Sequence, residues 1–250
     1  DELIAYANVT AALDAVRNGE CQKALVPIEN SVEGVVARTL DELAIGQPLV
    51  ITAETTLPVS FSLMTLSNKN PAEIKSIATH PHAESQCRSF IAKNYPNAQV
   101  IESSSTAAAA KGLSKGDYDA AIAGSNAAKN YDLKVIAENI GDNTGAITRF
   151  VLVEKPGNQP KATGKDRTSL AVFIALDHAG ALLEILNEFA KHQVNLTFIQ
   201  SRPTGSQLGH YHFIIDAEGH IEDKPISAAL AGLKEICEDV RFLGSYPQAK

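Results

Sequence analysis

The length, composition and charge of the chain exclude several classes of protein. Its 250 residues are 44% hydrophobic and 20% charged, with 16 Gly and 11 Pro, which is a globular composition and not that of a disordered, collagen-like or coiled-coil chain. The net charge of -7 argues against a nucleic-acid-binding protein, and no apolar run approaches the roughly 18 residues of a membrane-spanning helix. The 3 cysteines lie far apart without a CxxC pair, so we expect neither a disulfide scaffold nor a zinc site, and a cytoplasmic location.

The first 153 residues alternate between predicted helices and strands. Apolar residues at helical spacing predict helices over 9–17, 32–43, 83–94, 106–114 and 125–130, and β-branched or apolar runs predict strands over 24–28, 57–66, 74–79, 99–101, 120–123, 133–137 and 149–153. This alternation favours an open α/β sheet, or two small sheets joined by the long strand at 57–66.

A Pro-, Gly- and Lys-containing stretch at 154–167 predicts a linker. The residues after it predict strands over 168–176, 196–201, 210–216 and 240–243 and helices over 180–192 and 225–239. Their order, βαββαβ, is that of the ferredoxin-like split motif. A domain this small often shares its core or a sheet edge with a partner, so we expect dimerisation.

Polar residues follow several predicted strands at the points where helices begin. They are Glu29-Asn30-Ser31, His80-Pro81, Ser103 to Thr106, and Gly124-Ser125. Each turn by itself is explained by helix capping, with Ser31, Thr106 and Ser125 as caps. Because ligands bind at the carboxyl ends of strands in open α/β sheets, four such turns favour a site that binds an anion through backbone N–H groups.

Thr148-Arg149-Phe150 precedes the last strand of the first half. An arginine there can bind a carboxylate through two hydrogen bonds, or it can form a surface ion pair with a nearby acid. The spacing favours neither interpretation over the other.

Other motifs are weaker. His210-x-His212 and His80-Pro81-His82 lack a third ligand, so we expect no metal site. No GxSxG, Walker A, GxGxxG or HExxH pattern occurs in the sequence. Cys87 falls inside a predicted helix, which is typical of a core residue rather than a nucleophile.

Segments of the first half, taken in order, resemble prephenate dehydratase. Val26 to Ser31, with Gly34 and Thr39-Leu40-Asp41, is similar to the family's first signature, and His80-Pro81 with Gln86-Cys87 is similar to its second. Ser105-Thr106-Ala107 and residues 120–123 match the segments that follow, and Thr148-Arg149-Phe150 resembles the family's TRF motif, whose threonine is held to be essential.

The second half resembles the ACT regulatory domain that follows the catalytic domain in this family. Gly180-Ala181-Leu182 is similar to the GAL motif and Gln200-Ser201-Arg202-Pro203 to the ESRP motif, both associated with phenylalanine binding. The resemblance extends over nearly the whole chain. Each motif is weak by itself, and the set in this order is highly specific.

The resemblance implies a fold of two parts. The first is an α/β catalytic domain over 1–153, two-lobed like periplasmic binding proteins, with lobes at 1–56 plus 143–153 and at 57–142 and a hinge near residues 57 and 143. The second is the ferredoxin-like α+β ACT domain over 168–250, after the linker at 154–167.

The implied reaction converts prephenate to phenylpyruvate with loss of water and carbon dioxide, for phenylalanine biosynthesis. No cofactor is implied, because aromatisation drives the reaction. Implied catalytic residues are Thr148, Arg149 and Glu29, with His80 as a further possible proton donor. Implied substrate-binding residues are Asn30, Ser31, His80, Gln86, Ser105, Thr106 and Phe150.

Phenylalanine is the implied allosteric effector, acting in a homodimer or homotetramer that contacts neither nucleic acid nor membrane. The implied effector-binding residues are Gly180, Ala181, Leu182, Asn195, Gln200, Ser201, Arg202 and Pro203.

The sequence departs from the family pattern at three places. The strand and GPxGT turn with which the family usually begins are absent, which puts one wall of the cleft in question. Ala146 stands where Asn is often found before the TRF motif, so one polar contact is lost or supplied otherwise. Gln200 replaces the Glu of ESRP, so the ammonium group of the effector loses a charged partner.

Two alternatives remain from sequence. An arogenate dehydratase acts on a substrate with an amino group where prephenate has a keto group, and the residues do not decide between the two. A non-catalytic amino-acid-binding protein would use the same two-lobed fold, since fold does not fix function.

Overall fold

The computed structural model of the protein describes residues 2–67, 69–157, 159–174, 178–204 and 211–249. The chain divides into two compact units, and most contacts of each unit are made within that unit. The first unit comprises Asp1–Asn30, Gly34–Leu57 and Arg149–Lys250, and the second comprises Ser31–Glu33 and Pro58–Thr148. None of the helices in these described stretches is long and apolar enough to cross a membrane.

The N-terminal part of the first unit is built on a four-stranded sheet. Its elements are α1 (Val9–Asn18), β1 (Lys23–Asn30), β2 (Gly34–Val35), α2 (Ala37–Ile45), β3 (Val50–Pro58) and, later in the chain, β9 (Ile147–Glu154), with the strand order β2-β1-β9-β3. Helix α1 begins where the Asn8 side chain accepts from the Ala11 N–H at 2.9 Å. It ends at Gly19, whose φ of 81° suits glycine.

The predicted helix over 32–43 is wrong at its start. Residues 34–35 form β2, which pairs antiparallel with β1, and α2 begins only at Ala37. Gly34 has a φ of 84°, which turns the chain back onto β1 before a helix can begin.

The second unit contains a five-stranded sheet of order β6-β5-β7-β4-β8. Its elements are β4 (Ser62–Thr65), a 3₁₀ turn (Pro71–Glu73), β5 (Ser76–Thr79), α3 (Pro81–Ser85), α4 (Arg88–Asn94), β6 (Gln99–Glu102), α5 (Thr106–Leu113), β7 (Ala120–Ala123), α6 (Asn126–Asn130) and β8 (Lys134–Ala137). Strand β5 runs parallel to both β6 and β7. The polar turns after these three strands therefore lie at one edge of the sheet, as the sequence predicted.

Two predicted elements of this region are interrupted. The strand predicted over 57–66 is divided between β3, which ends at Pro58, and β4, which begins at Ser62. Between them, the Val59 N–H donates to the Ala146 carbonyl at 2.7 Å. The helix predicted over 83–94 is divided into α3 and α4. There the Gln86 carbonyl accepts from the Asp142 N–H at 2.6 Å rather than from the next turn of helix.

The C-terminal part of the first unit has the predicted βαββαβ order. Its elements are β10 (Asp166–Ile174), α7 (Ala181–Lys191), β11 (Leu196–Pro203), β12 (Tyr211–Glu218), α8 (Lys224–Ile236) and β13 (Cys237–Pro247). The sheet order β11-β12-β10-β13, with each pair antiparallel, is the ferredoxin-like arrangement. The last strand is longer than predicted. The ends of the predicted strands that fall on 175–176 and on 210 lie outside the described residues.

The two faces of this C-terminal sheet have different neighbours. Alternate residues such as Leu170 and Ile215 pack against α7 and α8. On the other face, Ala171, Ile214, Leu243 and Tyr246 share one hydrophobic core with α1, β1 and β3. The parts of the chain before and after the predicted linker are therefore packed together within the first unit.

Gly244 marks the closest approach between these parts. Its φ is 143°, and a Cβ added there would fall within 3.0 Å of three backbone atoms of Ile51 on β3. Glycine at this position lets the backbones of β13 and β3 come together.

Candidate functional site

Arg149 lies in a buried cluster of charges in the first unit. Its Nη2 atom is 2.7 Å from Oδ2 of Asp216 on β12, its Nη1 atom is 3.5 Å from Oε2 of Glu54 on β3, and its Nε atom is 3.7 Å from Oε2 of Glu29 on β1. The Arg149 side chain is 10% exposed, Glu54 2% and Asp216 1%. The ring of Phe198 lies 5.6 Å from the guanidinium carbon.

The cluster contains two arginines and three carboxylates. A second arginine, Arg167 on β10, places Nη1 2.6 Å from the same Glu54 oxygen. Burial acts to lower the pKa of Arg149, but the negative charges of Asp216 and Glu54 outweigh it, so the pKa of Arg149 rises above its usual value. The guanidinium is therefore held charged in a site from which most water is excluded.

Asp216 is itself held by a chain of hydroxyl groups. The Ser169 hydroxyl donates to Oδ1 of Asp216 at 2.6 Å, and the hydroxyl of Tyr246 lies 2.7 Å from Ser169 Oγ. Burial and the charge of Asp216 raise the pKa of Tyr246, which keeps the phenol protonated. Since the Ser169 hydrogen is given to Asp216, Tyr246 donates to Ser169.

The structure brings Glu29 and Arg149 together, as adjacent strands require. Asn30 ends β1 beside Glu29, and Phe150, which is half-buried, follows Arg149 on β9. The sequence left open whether Arg149 binds a ligand carboxylate or pairs with a protein acid. In the structure it pairs with protein acids, and that pairing is buried rather than at the surface. Its proposed role toward substrate stays a prediction.

In the second unit, Ser31 lies beside Ile147, the first residue of β9, whose residues from Arg149 onward belong to the first unit. Its N–H donates to the Ile147 carbonyl and its hydroxyl accepts from the Ile147 N–H, both at 2.9 Å. The prediction that Ser31 caps a helix is wrong, because α2 begins six residues later and its capping position is Val36. Ser31 instead fixes the chain next to Thr148.

The other predicted caps also differ in detail. Helix α5 is capped by Ser105, whose hydroxyl accepts from the Ala108 N–H at 2.9 Å, so Thr106 is the first helical residue. Ser125 occupies the capping position of α6 without a side-chain hydrogen bond to the helix. His80 caps α3, with Nδ1 accepting from the His82 N–H at 3.2 Å.

Gln86 reaches a residue that sequence reasoning missed. Its Nε2 atom donates to Oε1 of Glu33 at 3.1 Å, and the Ser85 hydroxyl donates to the same oxygen at 3.0 Å. Gln86 is buried. Glu33 lies between Ser31 and Gly34, within the first family signature. That position in the motif could have marked Glu33 as a candidate site residue.

The predicted effector motifs lie on separate elements of the C-terminal sheet. Gly180, at a φ of 100°, precedes α7, and Ala181 opens the helix. A cavity of about 190 Å³ is lined there by Ile174, His178, Ala181, Glu184, Ile185, Ile236 and Cys237. Leu182 is exposed at the next position of the helix.

The predicted effector residues on β11, and Asn195 just before it, have partners within the chain. Arg202 forms two hydrogen bonds with the carboxylate of Asp41 on α2, at 2.8 and 2.7 Å. Gln200 donates to the Ser201 carbonyl at 3.0 Å, and Asn195 donates to Glu218 at 3.0 Å. Pro203 ends the strand opposite Tyr211.

His212 has the environment of a core residue. It is fully buried and stacks on Phe173 with ring centroids 5.0 Å apart, and burial lowers its pKa. His210 lies outside the described residues.

Comparison with known proteins agrees with this architecture. The family model described as prephenate dehydratase matches residues 1–158, and the ACT domain model matches residues 168–235. A prephenate dehydratase of Amycolatopsis methanolica is 46% identical over 250 residues, which is 100% of this chain and 81% of that protein.

Two solved structures are similar over nearly the whole chain. The crystal structure of prephenate dehydratase in complex with L-Phe from Arthrobacter aurescens has a TM-score of 0.90 at 50% identity, covering 96% of this chain and 80% of that one. GqqA, described as a novel type of quorum-quenching acylase, has a TM-score of 0.81 at 28% identity, covering 94% and 85%.

The fold, the motif residues and these matches define a carbon–oxygen lyase that carries an ACT domain. Of the enzymes in that class, the match over the whole chain selects one family. The chain belongs to the prephenate dehydratase family.

Proposed function

We propose that this chain converts prephenate to phenylpyruvate with residues of β9, the strand that carries the TRF motif and is called the TRF strand below. We also propose that phenylalanine regulates this reaction through residues 168–250. The observation that carries the proposal is the presence, in order, of the family's motif residues in a chain 46% identical to a prephenate dehydratase along its whole length. We propose the division given by sequence: a catalytic part at 1–153, a connecting segment at 154–167 and an ACT domain after it.

The reaction needs charge stabilisation more than a strong acid. When the ring carboxylate leaves as carbon dioxide, its electron pair enters the ring, and the C–O bond breaks with its pair on the departing hydroxide. A proton then completes water. Since aromatisation supplies the driving force, the protein must hold two carboxylates and stabilise the departing oxygen.

Thr148 is proposed to donate a hydrogen bond to the departing hydroxyl. A threonine hydroxyl is too weak an acid to release its proton freely at neutral pH, so we assign it stabilisation, with Glu29 or His80 as the source of the proton. Its strand is fixed by the paired hydrogen bonds of Ser31 with Ile147, the residue before Thr148. A fixed strand suits the proposed role of Thr148, because a preorganised hydrogen-bond donor does not have to reorient during the reaction.

The remaining polar residues are proposed to bind the substrate. The polar ones are Asn30, Ser31, His80, Gln86, Ser105 and Thr106, and the apolar ring of Phe150 is proposed to line the same site. Arg149 is proposed to contribute positive charge, although its nearest partners are protein carboxylates.

The test uses a matched pair of variants at the proposed donor. We expect Thr148→Ala to lower kcat for phenylpyruvate formation by about 100- to 1000-fold, the usual loss when one such donor is removed, and Thr148→Ser to retain much of the activity. Equal turnover by the wild type and Thr148→Ala would remove Thr148 from the mechanism. Arogenate, offered to the same enzymes, decides the amino-group alternative by its kcat/KM relative to prephenate.

Regulation by phenylalanine is supported by the cavity beside α7 and by the L-Phe complex of the Arthrobacter aurescens relative. The cavity has a carboxylate, Glu184, that suits an ammonium group, and apolar walls that suit an aromatic ring. We further propose a homo-oligomer, and a reducing compartment such as the cytoplasm, in keeping with three free thiols. Phenylalanine that bound but left turnover and oligomer size unchanged would refute the regulatory part.

A further inference from the structure

The charged cluster around Arg149 joins two parts of the chain that are distant in sequence. Arg149 directly follows Thr148 on β9, whereas Asp216, its nearest carboxylate at 2.7 Å, lies on β12 of the ACT sheet. Asp216 shares a face of that sheet with Ile214, which packs into the common core with β1 and β3. The ACT domain therefore supplies a charge to the TRF motif itself.

The position of the Arg149 guanidinium depends mainly on Asp216, its nearest carboxylate. The other two carboxylates are farther from Arg149, at 3.5 and 3.7 Å, and Glu54 is shared with Arg167. A buried guanidinium that loses its nearest counter-charge must move toward the others or toward water. Movement of Arg149 would shift its neighbour Thr148, because the two residues are adjacent on one strand.

The Asp216 carboxylate is also fixed from within the ACT sheet. Ser169 on β10 holds one oxygen at 2.6 Å, and Tyr246 on β13 holds Ser169. A change in the spacing of β10, β12 and β13 would thus alter the orientation of the carboxylate that faces Arg149. Three strands of the regulatory sheet converge on this single ion pair.

We propose that Asp216 is a positioning residue for the TRF strand, so that the ACT domain sets the catalytic rate through the Asp216–Arg149 ion pair. The inference rests on the proposed function of Thr148. It assigns to the ACT domain a part in forming the active enzyme, in addition to binding an effector. The experiment therefore measures the coupling between the Asp216 and Arg149 side chains.

The experiment compares the full chain with Asp216→Asn and with a control, Arg241→Gln. Arg241 also connects the ACT sheet to the N-terminal part of the first unit, through a 2.7 Å hydrogen bond to the Ala44 carbonyl, but it does not contact Arg149. Steady-state kcat and KM for prephenate are measured, together with amide hydrogen exchange of the segment 147–154.

Asp216→Asn is expected to lower kcat by about 3- to 30-fold, the range typical of coupling through a contact network, with KM changed by less than the kcat. Exchange over 147–154 should become faster. Arg241→Gln should change neither. In Arg149→Gln, adding Asp216→Asn should cause little further loss, because the pair is already broken, and Arg149→Lys should retain part of the rate because it keeps the charge.

A folded Asp216→Asn enzyme with wild-type kcat would overturn the inference, as would a loss no larger than that of Arg241→Gln. If Asp216→Asn does not fold, Ser169→Ala tests the same contact by freeing one carboxylate oxygen, with a smaller loss of kcat expected and wild-type kcat contradicting the inference. The exchange measurement separates the two proposals. An inactive wild type refutes the proposed function, even if exchange over 147–154 is faster in Asp216→Asn. Unchanged exchange over 147–154 in Asp216→Asn refutes the positioning role.

Discussion

Gly244→Ala tests whether β13 of the ACT sheet packs against β3 as closely as the structure shows. The new Cβ would fall within 3.0 Å of three backbone atoms of Ile51, and Gly244 has a φ of 143°. Backbone strain of this kind costs about 1–3 kcal/mol, and overpacking against atoms that cannot rotate away costs about 1–3 kcal/mol more. We therefore expect the free energy of unfolding to fall by roughly 2–6 kcal/mol.

Gly164→Ala is the matched control, since Gly164 has a φ of 84° but no atom within 4 Å of an added Cβ. It should show the backbone strain alone. The assay is urea denaturation followed by circular dichroism, with thermal midpoints as a second measure at about 2–4 °C per kcal/mol for a chain of this size. If Gly244→Ala were as stable as Gly164→Ala, the close packing of β13 on β3 would be refuted.

Three further predictions concern other parts of the molecule. The ion pair with Lys69, the N–H group of Lys75 and the side chain of Ser76 lower the pKa of Asp119 to about 2. The stabilising effect of this carboxylate is present above pH 4 and lost as the pH falls toward 2. Because the side chain is 23% exposed, we expect Asp119→Asn to cost only about 1 kcal/mol at pH 7. Urea titrations at pH 7 and pH 2.5 check this, and an equal difference from wild type at both pH values would contradict it. Ala181→Leu should fill part of the cavity beside α7 and weaken phenylalanine binding by about tenfold or more in calorimetry, whereas unchanged affinity would place the effector elsewhere. Burial raises the pKa of the Cys237 thiol to about 11, so its alkylation by iodoacetamide should keep rising about tenfold per pH unit up to about pH 10, and a rate that levels off near pH 9 would contradict that environment.

The C-terminal fold was predictable because its signals are local. Apolar periodicity over 180–192 and 225–239, and β-branched runs between them, predict each element separately, and the βαββαβ order leaves few ways to arrange them. The structure confirms the ferredoxin-like sheet order.

The helix predicted over 32–43 starts five residues before α2 does. The apolar residues at 32, 35 and 36 fit helical spacing although residues 34–35 form a strand. The positive φ of Gly34 and the pairing of β2 with β1 delay the start of the helix. Pairing between strands is a tertiary effect that a local sequence pattern does not contain. The break at residue 86 has the same origin, since a carbonyl of the predicted helix is used by Asp142.

The candidate site was predictable as a set of motifs but not as a set of contacts. Arg149 could be chosen from its motif, whereas Asp216 ends an apolar-looking strand and gives no sign that it faces an arginine 67 positions earlier in the chain. Glu54 is equally inconspicuous in β3. Partners in a buried ion pair are fixed by which sheet faces pack together, and that information appears only in the fold.

The decisive measurement is phenylpyruvate formation from prephenate by the purified chain, with and without phenylalanine. We expect turnover that needs no added cofactor and that falls when phenylalanine is added. Absence of phenylpyruvate from a folded chain that binds phenylalanine would contradict the catalytic proposal and favour an amino-acid-binding protein instead.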